Sequence, residues 1–99
     1  MTKLTPEQIR DALTRLPGWK RHPRRDAIRR QFEFADFAQA FAFMTEVALA
    51  AEALGHHPEW SNVYAKVDVT LSTHDAGGLT DKDLDLAQVA DRAFARFAI

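Results

Sequence analysis

The sequence predicts an α+β domain of two layers, a four-stranded antiparallel sheet with helices covering one face, and three observations carry that expectation. Segments with apolar residues at helical spacing alternate with segments whose apolar residues recur at every second position. Short turns join the strand-like segments in pairs, which makes each pair an antiparallel hairpin. No linker, low-complexity tract or repeat interrupts the chain, so residues 1–99 are expected to form a single domain in the order helix, hairpin, helix, hairpin, helix.

The first helix begins at Thr5. Thr5-Pro6-Glu7-Gln8 offers an N-cap hydroxyl, a proline at the first helical position and a glutamine at the capping-box partner position. Ile9, Leu13 and Leu16 give it an apolar stripe, and Pro17-Gly18 stops it. Two strands are expected at Trp19 to His22 and Asp26 to Phe34, around a turn at Pro23-Arg24-Arg25. Ile28, Phe32 and Phe34 fall on one face of the second strand, although Arg30 interrupts their stripe.

Asp36 caps a long helix that runs to the stop at Gly55. One of its stripes holds Phe37, Phe41, Met44, Ala48 and Ala51, and beside it lie Phe43, Val47, Ala50 and Leu54. An apolar arc of about half the circumference is wider than one contact with a sheet requires. The excess is expected to meet a partner. Strands follow at Glu59 to Tyr64 and Val67 to Thr73, joined at Ala65-Lys66, with Val67, Val69 and Leu71 facing one way and Asp68, Thr70 and Ser72 the other. Trp60, Asn62 and Tyr64 share a face, and that polar side of the sheet or its rim is expected to hold a polar ligand. After a glycine-containing loop from Asp75 to Leu79, Thr80 starts the last helix, flanked by Leu84, Ala87, Ala90, Ala93, Phe94 and Phe97.

Composition narrows the function. Cysteine is absent, which excludes disulfides, thiolate metal sites and cysteine nucleophiles. The N-terminal MTKLTPEQIRD lacks an apolar signal core, and no apolar run approaches the roughly 20 residues of a membrane span, so a cytoplasmic location and no membrane contact are expected. The net charge of −1 conceals an asymmetry, because nine of the thirteen lysines and arginines lie at or before Arg30. Lys20, Arg21, Arg24, Arg25, Arg29 and Arg30 make the first hairpin basic. That hairpin reads either as a solvated surface or as the contact of a non-catalytic protein- or nucleic-acid-binding regulatory module. The near-neutral total speaks against dedicated nucleic-acid binding.

Three of the four histidines lie between Glu52 and Asp83. His56 and His57 sit where the long helix has ended and a strand is about to begin, and Pro58 biases His57 toward an extended backbone. His74 lies past the end of the paired strand, which hairpin geometry brings back beside the start of the third. The three imidazoles are therefore expected at one edge of the sheet. Imidazole titrates near neutrality, so such a cluster can give and take protons without a cofactor. Zinc is the rival, but adjacent His56 and His57 lack the i,i+4 spacing of helical zinc ligands and seldom point into one tetrahedral centre. Glu52, one turn before the helix end, reads as an orienting carboxylate or as a solvated one. Asp83 completes Thr80-x-x-Asp83, a near-capping box, and reads as structural or as an anchor for loop or substrate. Trp60 and Tyr64 read as core residues or as platforms for a planar ring.

The pattern Glu52-x3-His56-His57-Pro58-x5-Tyr64-x9-His74-x8-Asp83 resembles the signature of the pterin-4a-carbinolamine dehydratases, with every position filled. It spans 32 residues, and HHPEWSNVYAKVDVTLSTH is its most specific portion. The resemblance implies dehydration of 4a-hydroxytetrahydrobiopterin, or a related 4a-hydroxytetrahydropterin, to quinonoid dihydropterin in pterin recycling, with no cofactor and no metal. It implies His56 and His74 as acid and base, and His57 in binding and placing the ring. Glu52 and Asp83 carry over as supporting positions and Trp60 as a wall of the pocket. It also implies a homo-oligomer, dimer or tetramer, built by sheet-edge pairing and helix packing. On this reading the basic hairpin is remote from the chemistry, and removing Arg24 and Arg25 is expected to leave turnover nearly intact.

Overall fold

The computed structural model describes residues 2–97. Its element order is α1 (Pro6–Arg15), β1 (Lys20–Arg21), β2 (Ile28–Glu33), α2 (Phe37–Leu54), β3 (Glu59–Val63), β4 (Lys66–Leu71), a single 3₁₀ turn (His74–Ala76) and α3 (Asp81–Ala95). The strands form one antiparallel sheet in the order β1-β2-β4-β3, the α+β architecture expected from the sequence.

Local chemistry sets the boundaries. At α1 the Thr5 hydroxyl accepts from the Gln8 amide at 3.1 Å while the Gln8 side chain accepts from the Thr5 amide at 2.8 Å, so two otherwise unpaired donors are satisfied. The Asp36 carboxylate accepts from the Gln39 amide at 2.9 Å to start α2, and Gly55 ends it at φ 67°, a left-handed conformation that costs glycine little. All four strands differ at their ends from those expected: β2 begins at Ile28 rather than Asp26 and stops at Glu33, β4 stops at Leu71 rather than Thr73, and the other two differences have a visible cause. β1 is reduced to Lys20–Arg21 because Trp19 turns into the core, where its ring nitrogen donates to Asp91 at 2.9 Å. The β3–β4 turn is Tyr64-Ala65, one residue earlier than expected: Val63 faces Lys66 across the ladder, and Tyr64 takes φ 49°. The Asn62 amide braces that turn by donating to the carbonyls of Tyr64, at 3.1 Å, and Lys66, at 2.8 Å.

One face of the sheet carries the core. Ile28 and Phe32 of β2 and Val67, Val69 and Leu71 of β4 are buried against Ala40, Phe43, Val47 and Ala51 of α2 and Leu86, Ala87, Ala90 and Ala93 of α3. Phe32 packs against Phe43, Phe94 and Trp19 with ring centroids 4.7, 5.1 and 5.9 Å away, and burial of a side chain of this kind contributes about 1.5–3 kcal/mol. Arg30, the residue that broke the apolar stripe, belongs to this face. Its guanidinium lies 4.5 Å from the Phe32 ring centroid and 5.1 Å from that of Phe94, and it donates to Asp91 at 2.9 Å. The charge is thus stacked and paired.

The two stripes of α2 do not divide cleanly into covered and open. Phe43 and Val47 of the second stripe and Ala51 of the first are buried, whereas Phe37 and Phe41 of the first, Leu54 of the second, and Leu49 beside them are exposed. By length and composition α2 could cross a bilayer, with a mean hydropathy of 1.3 over 18 residues, yet its buried face is that of a core helix. The opposite face of the sheet is open and polar. A cleft of about 480 Å³ there is lined by Lys20, Arg29, Gln31, Ser61, Asp68 and Thr70, among others, and contains no histidine.

Candidate active site

Chemistry-bearing residues gather instead at one end of the sheet, where β3 begins, β4 ends and the β1–β2 loop turns. Register explains the gathering: Ile28 pairs with Leu71 and Glu59 with Thr70, so residues just before β2, just before β3 and just after β4 emerge together. A cavity of about 290 Å³ there is lined by His56, His57 and His74 with Glu59, Ser72, Thr73 and Lys82 among its other walls. The three histidines are brought together as their spacing predicted.

Their environments differ. The left-handed turn at Gly55 directs His56 inward, where it is 8% exposed, and its Nε2–H donates to Asp83 Oδ1 at 2.6 Å. Asp83 is fully buried. Its other oxygen, Oδ2, accepts from the Thr73 hydroxyl at 2.8 Å and from the Thr80 amide at 3.0 Å. Because Thr73 spends its proton on Asp83, the Thr80 hydroxyl donates to Thr73 at 2.7 Å. Asp83 is therefore both the capping-box residue of α3 and the partner of His56, and the two readings of its sequence position hold at once. With Nε2 protonated toward the carboxylate, Nδ1 of His56 is the acceptor nitrogen. No buried side-chain nitrogen or oxygen among the described residues lacks a partner, and Nδ1 has none, so it lies where solvent or a ligand reaches it.

His57 points the other way. Its Nε2 donates to Glu52 Oε1 at 3.0 Å, with both side chains well exposed. His74 begins the 3₁₀ turn after β4, is exposed, and among the described residues no hydrogen bond holds its ring. Gly77, at φ 75°, closes that turn, and a Thr73–Gly78 bridge pins its base. Among the described residues no group of three or more histidines and carboxylates is arranged to hold a metal ion.

Three of the expected site residues do not line the cavity. Asp83 stands behind His56, and Glu52 is paired with His57 at its outer side. Trp60 is placed elsewhere: it faces Val69 across the ladder, so it and Asn62 share the helix-covered side, and it packs on the core rather than walling the pocket.

The sequence reading passed over other residues. Glu59, one position past Pro58, lines the cavity, and Arg25 of the basic loop grips it with Nη2 2.7 Å from Oε2 and Nη1 3.0 Å from Oε1. That hydrogen bond from Arg25 is the main reason the Glu59 carboxyl titrates below its usual range, with the charges of Arg25, His22 and His74 adding to it against the effect of burial. Arg25 is in turn raised by the same pairing. The Ser72 hydroxyl donates to the Asp26 carbonyl at 2.9 Å and ties the loop to the end of β4. His22, the fourth histidine, titrates below its usual value through burial first and then the nearby Arg29, Arg25 and Arg24. The ladder alternation that puts Glu59 on the open side with Thr70 was a usable signal for Glu59. None existed for Arg25, which lies 34 residues away in a loop.

Known proteins resemble this chain over most of its length. Residues 2–93 match the family described as pterin 4 alpha carbinolamine dehydratase. A protein of Burkholderia vietnamiensis, whose name gives it provisionally as a pterin-4-alpha-carbinolamine dehydratase, is 58% identical over 93 residues, covering 94% of this chain and 91% of its own. A Burkholderia multivorans protein of the same name is 57% identical over the same shares of the two chains. Among solved structures, one described as a transcriptional coactivator/pterin dehydratase from Brucella melitensis superimposes with a TM-score of 0.91 at 46% identity, covering 93% of this chain and 98% of that one. A pterin dehydratase-like protein described as a RuBisCO assembly factor of the alpha-carboxysome shares the fold, with a TM-score of 0.68 at 23% identity over 78% of this chain and 89% of its own.

Proposed function

Because the chain belongs to the pterin 4 alpha carbinolamine dehydratase family, we propose that it dehydrates a 4a-hydroxytetrahydropterin to the quinonoid dihydropterin, by general acid–base catalysis from its histidines. The observation that carries this reading is the pairing of His56 with buried Asp83, which leaves an acceptor nitrogen open beside His57 and His74 in one cavity. In the reaction the C4a–O bond breaks, the oxygen leaves as water after gaining a proton, and a ring N–H proton departs as the C=N bond forms. One group must donate while another accepts. His56 is the base. Asp83 fixes its tautomer and stabilises the imidazolium that forms when Nδ1 takes the proton. His74, unencumbered at the cavity mouth, is the acid, and His57 places the ring with Glu52 steadying it.

The test is direct. Chemically generated 4a-hydroxytetrahydropterin, followed by ultraviolet absorbance, is expected to dehydrate faster with the protein than without it, before and after exhaustive chelation. No acceleration above the spontaneous rate rejects the reading, and activity lost to chelator and restored by zinc moves the chemistry to a metal.

The same reading places the protein in the cytoplasm, in pterin recycling, as a homo-oligomer. Self-association is supported by the exposed apolar side of α2, with Phe41 57% and Leu49 70% exposed, and by β3, an edge strand that exposes Val63 and leads into the exposed Tyr64 of the turn. Sedimentation at micromolar concentration is expected to give a dimer or tetramer, and a monomer there counts against it. The same exposed side of α2, and the coactivator half of the Brucella description, favour a second reading in which the chain is a protein-binding module. A folded protein that binds a partner through α2 and leaves dehydration at its spontaneous rate would support it.

A further inference from the structure

Thr73 breaks a local rule. It precedes the 3₁₀ turn His74–Ala76 as its N-cap residue, yet its hydroxyl makes no capping bond to that turn. Thr5 and Thr80, at the same place before α1 and α3, cap their own helices. The Thr73 side chain turns inward instead. It is buried, and its hydroxyl donates to Asp83 Oδ2 at 2.8 Å while accepting from the Thr80 hydroxyl at 2.7 Å. The Thr80 oxygen in turn accepts from the Lys82 amide at 3.3 Å, so one chain of donors runs from the first turn of α3 through two hydroxyls to the carboxylate. In such a chain each bond polarises the next.

The backbone of the same residue is fixed from the other side. Thr73 and Gly78 exchange amide–carbonyl bonds at 3.0 and 3.2 Å, and the Thr73 carbonyl also accepts from the Ala76 amide at 3.1 Å. His74 is thus carried on a turn whose base is Thr73, and His56 is held by a carboxylate whose other oxygen Thr73 grips. Thr73 also lines the cavity with both histidines. We propose that Thr73 is a positioning residue: its hydroxyl, anchored by the turn that carries His74, holds Asp83 with Oδ1 toward His56 and so keeps the two proton-transfer histidines in register. This rests on the dehydratase reading above and deepens it. A donor and an acceptor that act on one ligand must both be in reach at once, and a small misplacement of either is costly. Without the hydroxyl, Oδ2 keeps the Thr80 amide alone and the carboxylate is free to swing about that bond. The buried Thr80 hydroxyl loses its acceptor as well.

The experiment compares Thr73→Val, which keeps the shape and removes the hydroxyl, with Thr73→Ser, which keeps the hydroxyl. Two readouts are taken on the intact protein: dehydration of 4a-hydroxytetrahydropterin, and NMR of the ¹⁵N-labelled histidine rings without substrate. In the wild type the His56 Nε2–H is expected as a proton resonance protected from exchange with solvent, since it is enclosed against Asp83. Thr73→Val is expected to lower kcat by about 10- to 100-fold and to change KM by less than about 3-fold, the pattern of a lost transition-state contact. The His56 proton loses its protection in this variant, while the amides of the β2–β4 ladder keep theirs. Thr73→Ser returns both readouts to within about 3-fold of the wild type, because a hydroxyl again donates to the carboxylate. Thr73→Cys, whose S–H is a weak donor, falls between the two and decides the matter where ladder amides show that Thr73→Val has lost its fold. A folded Thr73→Val with wild-type kcat overturns the proposal. A lower kcat with the His56 proton still protected overturns it too, because the loss then does not pass through Asp83, and so does a raised KM at unchanged kcat, which places Thr73 on the ligand. A wild type that leaves dehydration at its spontaneous rate removes the dehydratase reading and the catalytic half of the proposal with it, whereas the protected proton tests the hold on Asp83 independently of turnover.

Discussion

His56 and His57 are neighbours in the chain, each bonded through Nε2 to a carboxylate, and they share little else. The His56–Asp83 pair is 2.6 Å long and enclosed, with the carboxylate side chain fully buried. The His57–Glu52 pair is 3.0 Å long, with side chains 67% and 82% exposed. An enclosed charge-assisted hydrogen bond is short and strong, and removing one partner leaves the other without water to replace it. A solvated pair exchanges its partner for water at almost no cost. Both rings are imidazoles bonded to a carboxylate, so the difference in role comes from what surrounds each ring. The enclosed bond fixes which nitrogen of His56 faces the cavity, whereas the solvated one leaves His57 able to follow a ligand.

The comparison breaks first at Asp83. Asp83→Ala removes the partner of His56, the acceptor for Thr73 and the cap of α3 together, and it is expected to lower stability by about 3–5 kcal/mol, measured by urea unfolding. A loss under 1 kcal/mol would show that the enclosed pair matters no more than the open one. Next in size is His56→Ala, expected to lower kcat by roughly 10² to 10⁴ unless the spontaneous rate sets a higher floor. Combining it with His74→Ala should cost little more, because donor and acceptor act as one unit. His57→Ala is expected to act mainly through KM, and Glu52→Ala to change stability by less than about 1 kcal/mol. Equal kcat losses in His56→Ala and His57→Ala would erase the distinction between them.

The smallest effect is a titration. The folded-state value of Glu59 lies below its ordinary 4.5, so the stabilisation from its pairing with Arg25 is complete above that ordinary value and is lost as pH falls through the lower, folded one. Arg25→Ala is expected to move the Glu59 midpoint back up toward 4.5, read from its carboxyl carbon by NMR. An unchanged midpoint would mean that the pair does not persist in solution.

Local signals in the sequence were read well, and relations between distant segments were not. Thr5, Asp36, Gly55 and Thr80 marked helix ends because capping is settled within three or four residues. Hairpin arithmetic brought the three histidines together because the β3–β4 register depends on one short turn, and a one-residue error in that turn left the gathering intact. The partner of His56 lies 27 residues away on another element, and the direction in which Asp83 points depends on how α3 docks. Trp60 was assigned to the ligand side because alternation tells which residues share a face but not which face is covered. The covered side is fixed by Val67 and Val69 opposite it. Arg30 looked like a defect in an apolar stripe until Phe32, Phe94 and Asp91 were seen to surround it.

Asp83 has a consequence for the way this protein can fail. One carboxylate starts a helix and steadies an imidazole, so the first turn of α3 cannot fray without releasing His56. Heat, mild denaturant or a mutation that loosens only that turn will silence the chemistry while the sheet and the rest of the core stand. Loss of activity would then precede loss of structure on warming, and the amide of Thr80 would be an early one to exchange with solvent. Sequence drift faces the same bond from the other side: no change at this position can alter reactivity and leave folding untouched.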